Sequence, residues 1–73
     1  MDNSVMALIG KRLSERRKRL RVTQKDLAEI AGVSVSTISA IELGKTNPSI
    51  ALLTKISEPI GLVVSLSERV VVP

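Results

Sequence analysis

Val5, Ile9, Leu13 and Leu20 recur at helical spacing and predict one helix from about Val5 to Leu20, with Asn3 or Ser4 as its N-cap. Arg17 lies on the same stripe, between Leu13 and Leu20. A guanidinium there needs a partner, because an unpaired charge on a buried face is costly. A second, short helix opens at Thr23, whose hydroxyl can cap the first turn while Asp26 reaches back. Leu27, Ala28, Ile30 and Ala31 form its expected apolar face, and Gly32 can end it in the left-handed conformation. Only Gly32 and Val33 separate it from Ser34, a good N-cap for a third helix ending near Leu43-Gly44. So short a glycine-containing turn cannot lay the two helices antiparallel. They must cross steeply, which is the helix-turn-helix arrangement.

Asn47-Pro48-Ser49 starts a fourth helix, with Ile50, Leu53, Ile56 and Ile60 as its expected buried stripe. Pro59 should break or kink this helix and bias Glu58 away from helical dihedrals, with Gly61 completing the break. From Leu62 the period changes to two, and Val64, Leu66 and Val70 fall on one face of a predicted strand. A small helical body offers such a strand no sheet, so its expected partner is the same strand of a second copy. The predicted organisation is a helix-turn-helix domain over residues 1–61 and a dimerising strand over 62–73. The fold class is all-α, with four to five helices and that short C-terminal β-strand.

Composition narrows the function. The 73 residues contain no Cys, His, Phe, Trp or Tyr, so the core must be aliphatic. No disulfide or metal site reinforces it, no cofactor is expected, and no nucleophile–base pair suggests catalysis. RNA binding is disfavoured because nothing can stack on unpaired bases. The net charge is +4, with Lys11, Arg12, Arg16, Arg17, Lys18, Arg19 and Arg21 in one stretch. Such a run suits a polyanion but is more often a solvated face, with Lys11–Glu15 and Glu15–Arg19 as simple pairs. Arg19 and Arg21 are the exceptions, being placed to reach flanking phosphates. The opening Met1-Asp2-Asn3-Ser4 lacks a basic region, and the tail is too short to span a bilayer, so the chain is expected to be cytoplasmic.

In the third helix, Ile38 and Ile41 are expected to face inward, with Ser34 and Glu42 at the margins. Ser36, Ser39, Ala40 and Leu43 then point outward, with Val35 at the border. A small, uncharged outer face suits a helix lying deep in a major groove. Hydroxyls can meet base edges there, and Val35 or Ala40 can touch thymine methyls.

The run TQKDLAEIAGVSVSTISAIELGKTNPS resembles the lambda-repressor/Cro-like, or Xre, helix-turn-helix family, and the similarity extends from about Ile9 to Leu62. The resemblance implies that Val35, Ser36, Ser39 and Ala40 face base edges. It implies that Gln24, Thr37, Lys45, Thr46 and Asn47 meet the phosphate backbone. It also implies that Arg17 and Glu42 join the first helix to the end of the third. The base-facing positions depart from the family in lacking Gln, Asn and Arg, and Pro59 interrupts a helix that is usually continuous. The implied activity is repression of transcription by a homodimer on a palindromic double-stranded operator, at the bacterial nucleoid. The tail resembles that of HipB-type antitoxins, which implies autoregulation and a HipA-type kinase toxin as partner. The alternatives are a stand-alone Xre-type regulator and a toxin-binding module for which DNA binding is secondary.

Overall fold

Hydroxyl caps set where three of the helices begin. The computed structural model describes residues 3–66. Helix α1 spans Asn3–Arg19, α2 Gln24–Ala31, α3 Val35–Glu42 and α4 Ile50–Ser57, and a single 3-10 turn follows at Glu58–Ile60. The Thr23 hydroxyl accepts from the Asp26 N–H at 3.0 Å, and the Asp26 carboxylate accepts from the Thr23 N–H at 3.3 Å. Ser34 accepts from the Thr37 N–H at 3.0 Å, and Ser49 from the Leu52 N–H at 3.1 Å. Each cap satisfies a donor that the helix itself cannot, a contribution of about 1 kcal/mol.

The helix ends are equally local. Gly32 stops α2 at φ 70°, and the next N–H, from Val33, closes back on the Ala28 carbonyl at 3.0 Å. Helix α1 ends in the same way without a glycine. Arg21 takes φ 59°, and the Val22 N–H donates to the Arg17 carbonyl at 3.0 Å. Leu20 therefore lies beyond the helix and is nearly half exposed, as is Val5 near the other end.

Leu13, Leu27, Ala28, Ala31, Ile38, Ile41, Leu53, Ile56 and Ile60 form one buried aliphatic core, with Ile9, Val22, Val33, Leu52 and Leu62 packed at its edge. Two expected core residues stand outside it. Ile30 is 64% exposed and Ile50 is 68% exposed. Ile30 lies about 60° around the helix from Leu27, on the side away from Ala28. Ile50 has the right direction but sits in the first turn of α4, beyond the reach of the body.

Pro59 ends the α-helix as expected, but by a different local route. Glu58 keeps helical dihedrals, φ −54° and ψ −47°, so packing overrides the pre-proline preference there. The helix tightens into the 3-10 turn, and Gly61 at φ 72° terminates it. The Arg16 guanidinium fixes this exit by donating to the Ile60 carbonyl at 2.7 Å. After the Leu62 N–H closes on the Ser57 carbonyl, residues 62–66 form neither helix nor strand. The expected strand is thus not formed by a single copy over the described residues, because a strand needs a ladder partner. Val64 and Leu66 are exposed there. Val70 and the rest of the predicted dimerising segment lie outside the described residues.

Two glycines let α1 and α3 meet backbone to backbone. A Cβ at Gly10 would overlap the Ile41 carbonyl oxygen and stand 2.6 Å from that of Glu42. Gly44, at φ 69°, closes the end of α3, and a Cβ there would stand 2.9 Å from the Ala7 Cα. This contact pins the end of α3 to the long first helix.

Candidate nucleic-acid interface

Helix α3 has two faces. Ile38 and Ile41 are buried, whereas Val35 and Ser36 are exposed and Ser39 and Ala40 half-exposed. Gln24, Val35, Ser36, Ser39, Ala40, Leu43 and Lys45 line one shallow surface depression. The structure therefore brings the four base-facing candidates together with Gln24 from the start of α2 and Lys45 from the loop after α3. Thr46 and Asn47 are exposed on that same loop but do not line the depression. Thr37 is half-buried, with its hydroxyl 2.8 Å from that of Ser34. Arg19 lines a separate groove beside Gly61 and Leu62, on another part of the surface. Leu43 is a member of the depression that the resemblance did not assign, although its outward direction is legible from periodicity.

A buried polar network holds this surface in place. Arg17 Nε donates to Glu42 Oε2 at 2.7 Å, and Arg17 Nη2 donates to Glu42 Oε1 at 2.9 Å. Arg17 Nη1 donates to the Val22 carbonyl at 2.8 Å, so the guanidinium also ties down the chain entering α2. Gln24 Nε2 donates to Glu42 Oε1 at 3.1 Å. The two charged side chains are only 9% and 6% exposed. A parallel, two-pronged pair of this kind is among the stronger side-chain contacts. It links α1, the start of α2 and the end of α3 around one carboxylate.

Burial opposes the ionisation of Glu42, but hydrogen bonds from Arg17, Gln24 and Ser14 outweigh it and hold the carboxyl below its usual range. The hydrogen bond to Glu42 likewise holds Arg17 above its ordinary value. A carboxyl depressed in the folded state stabilises the fold above its unfolded value, about 4.3, and that stability is lost as pH falls through the folded value. Thermal melts on an acid series should therefore show the gap between wild type and Glu42→Gln narrowing below about pH 4.3. A gap that stays constant into strong acid would mean that Glu42 is not held ionised by the network. Arg17 works in the opposite sense, its contribution vanishing only in strong alkali.

The packed α2–α3 pair, joined by Gly32-Val33-Ser34 and presenting one face of α3 to solvent, defines a helix-turn-helix domain of the Xre, lambda-repressor-like type. The chain belongs to the helix-turn-helix family, whose profile matches residues 13–68. It is similar to the HTH-type transcriptional regulator PuuR of Escherichia coli (strain K12), at 46% identity over 59 residues, covering 81% of this chain and 31% of that protein. It is also similar to an HTH-type transcriptional regulator of Haemophilus influenzae, at 39% identity over 65 residues, covering 89% of this chain and 65% of that one. The immunity repressor protein of Bacillus phage phi105 is 37% identical over 57 residues, covering 78% of this chain and 40% of the repressor. The chain thus spans only 31% of PuuR's length. Among the described residues, no helix is long and apolar enough to cross a membrane.

Proposed function

We propose that this chain binds double-stranded DNA sequence-specifically, with α3 in the major groove, and represses transcription as a homodimer on a palindromic operator. The reading rests on one observation above all. The outer face of α3 is exposed, uncharged and small, and Gln24 and Lys45 flank it in a single depression. Phosphate contacts from Gln24, Thr37, Lys45, Thr46 and Asn47 supply affinity and register, while Val35, Ser36, Ser39 and Ala40 meet the bases. Gln24 Nε2 gives one hydrogen to Glu42 and keeps a second for a phosphate oxygen. The likeness to a phage immunity repressor supports repression as the outcome. In this reading the role is binding rather than catalysis, exercised in the cytoplasm at the nucleoid.

Ser39→Glu is expected to abolish specific binding, because it sets a carboxylate among base-edge acceptors and phosphates. Lys45→Glu should weaken specific and non-specific binding together and flatten the salt dependence. Electrophoretic mobility shifts against a duplex selected from a random pool would check both. Unchanged affinity in Ser39→Glu would remove α3 from the groove.

Dimerisation through the tail gives the exposed apolar residues Val64 and Leu66 a partner, and Val70 belongs to the same alternating face. Two recognition helices on a palindrome must lie about 34 Å apart, one turn of DNA, and a dimer axis sets that spacing. Deleting the residues after Leu62 should give a monomer with much weaker operator binding and most of its helical signal. Sedimentation of the truncated chain decides, since a tight dimer would place the interface on the helices. The HipA-type kinase partner and the antitoxin role rest on the tail's resemblance alone. Co-purification with the product of the adjacent open reading frame tests them separately.

A further inference from the structure

The outer surface of α3 lacks the side chains that read purines by paired hydrogen bonds. What it offers instead is apolar: Leu43 is 63% exposed, Val35 is 43% exposed, and Ala40 lies with them in the same depression. An exposed leucine is ordinary when isolated, but this one borders the surface turned toward the base edges. We propose that the operator is read chiefly through thymine 5-methyl groups, received by Val35, Ala40 and Leu43. This inference rests on the DNA-binding reading and names the base feature that the site selects.

Major-groove chemistry supports the choice. The thymine methyl is the one apolar group among the base edges, whereas every other readable position is a donor or an acceptor. Ser36 and Ser39 can each either donate or accept, so their hydroxyls accommodate several bases and discriminate weakly. Discrimination is left to the apolar groups. Val35 and Leu43 are eight residues apart, about 12 Å along a helix axis, which spans three to four base-pair steps of about 3.4 Å. Ala40 lies between them along the axis but about 140° around it from Val35, so the three share one depression rather than one line. Each methyl buried against one of them should contribute about fourfold in affinity.

The test begins by selecting duplexes from a random pool with the full chain. The best duplex is then resynthesised with deoxyuridine replacing thymidine, one position at a time. That change removes the methyl and preserves base pairing and phosphate charge. Affinity should fall about fourfold at each contacted position, with the salt dependence unchanged. Val35→Ser and Leu43→Ser should each lose the thymidine-over-deoxyuridine preference at one position, while circular dichroism shows that both variants fold like wild type. Equal affinity for the two duplexes at every position would overturn the proposal, as would variants that keep the full preference. Failure to enrich any duplex would instead overturn the DNA-binding reading beneath it.

Discussion

Glu42→Ala is expected to destabilise the domain by about 3 kcal/mol, because it leaves the Arg17 guanidinium buried without its counter-charge. The magnitude follows from burial rather than from the mere presence of an ion pair. An exposed pair such as Lys11–Glu15, at 3.9 Å with both side chains more than half exposed, contributes well under 1 kcal/mol. Glu42 instead accepts from two nitrogens of Arg17 and one of Gln24. Its removal loosens α1, α2 and α3 at once. In a chain of this size each kcal/mol corresponds to about 4–8 °C, so the midpoint of thermal unfolding should fall by more than ten degrees. Replacing both partners, Arg17→Met with Glu42→Leu, should recover part of the loss, since no charge then remains buried. A Glu42→Ala melt within a degree or two of wild type would mean that water reaches the guanidinium.

Gly10→Ala is expected to destabilise the domain by about 2 kcal/mol or more, against the ordinary preference of helices. Alanine is the better helix former by about 1 kcal/mol, so propensity alone would make this substitution stabilising. Sterics oppose it. The new methyl would overlap the Ile41 carbonyl and crowd that of Glu42, and both obstacles are backbone that cannot swing aside. Overpacking costs about 1–3 kcal/mol where side chains can adjust, and the cost lies at or beyond the upper end where they cannot. The net sign is therefore negative. Urea unfolding of the variant measures it, and a midpoint at or above wild type would show that α1 and α3 separate easily.

Much of this architecture is legible in the residues. Thr23, Ser34 and Ser49 announce helix starts by their chemistry, and Gly32 and Gly61 announce ends by their freedom at positive φ. Arg17, set on an otherwise apolar stripe, signals by its position alone that it must have a partner, and Glu42 is that partner. What escapes the sequence is position along an axis. Periodicity reports the direction of a side chain but not whether the body extends far enough to cover it, and so Val5 and Ile50 are exposed against expectation. The end of α1 escapes for another reason. Arg21 adopts a conformation that arginine rarely signals, so nothing at that position distinguishes a helix end from another turn. The place of Leu43 in the depression depends on where the chain turns after α3, which no spacing rule specifies.

The division of α3 into an inner face, Ile38 and Ile41, and an outer one has a consequence for how such a domain can diversify. Val35, Ser36, Ser39 and Ala40 lie outside the core cluster, so substitutions there other than Gly or Pro should cost far less than changes at Ile38 or Ile41. If these four residues meet the bases as proposed, target choice and foldability are nearly independent variables. A library varied at those four positions without Gly or Pro could then explore new operators while keeping the scaffold. The same number of changes at Ile38, Ile41 and their neighbours would yield mostly unfolded chains.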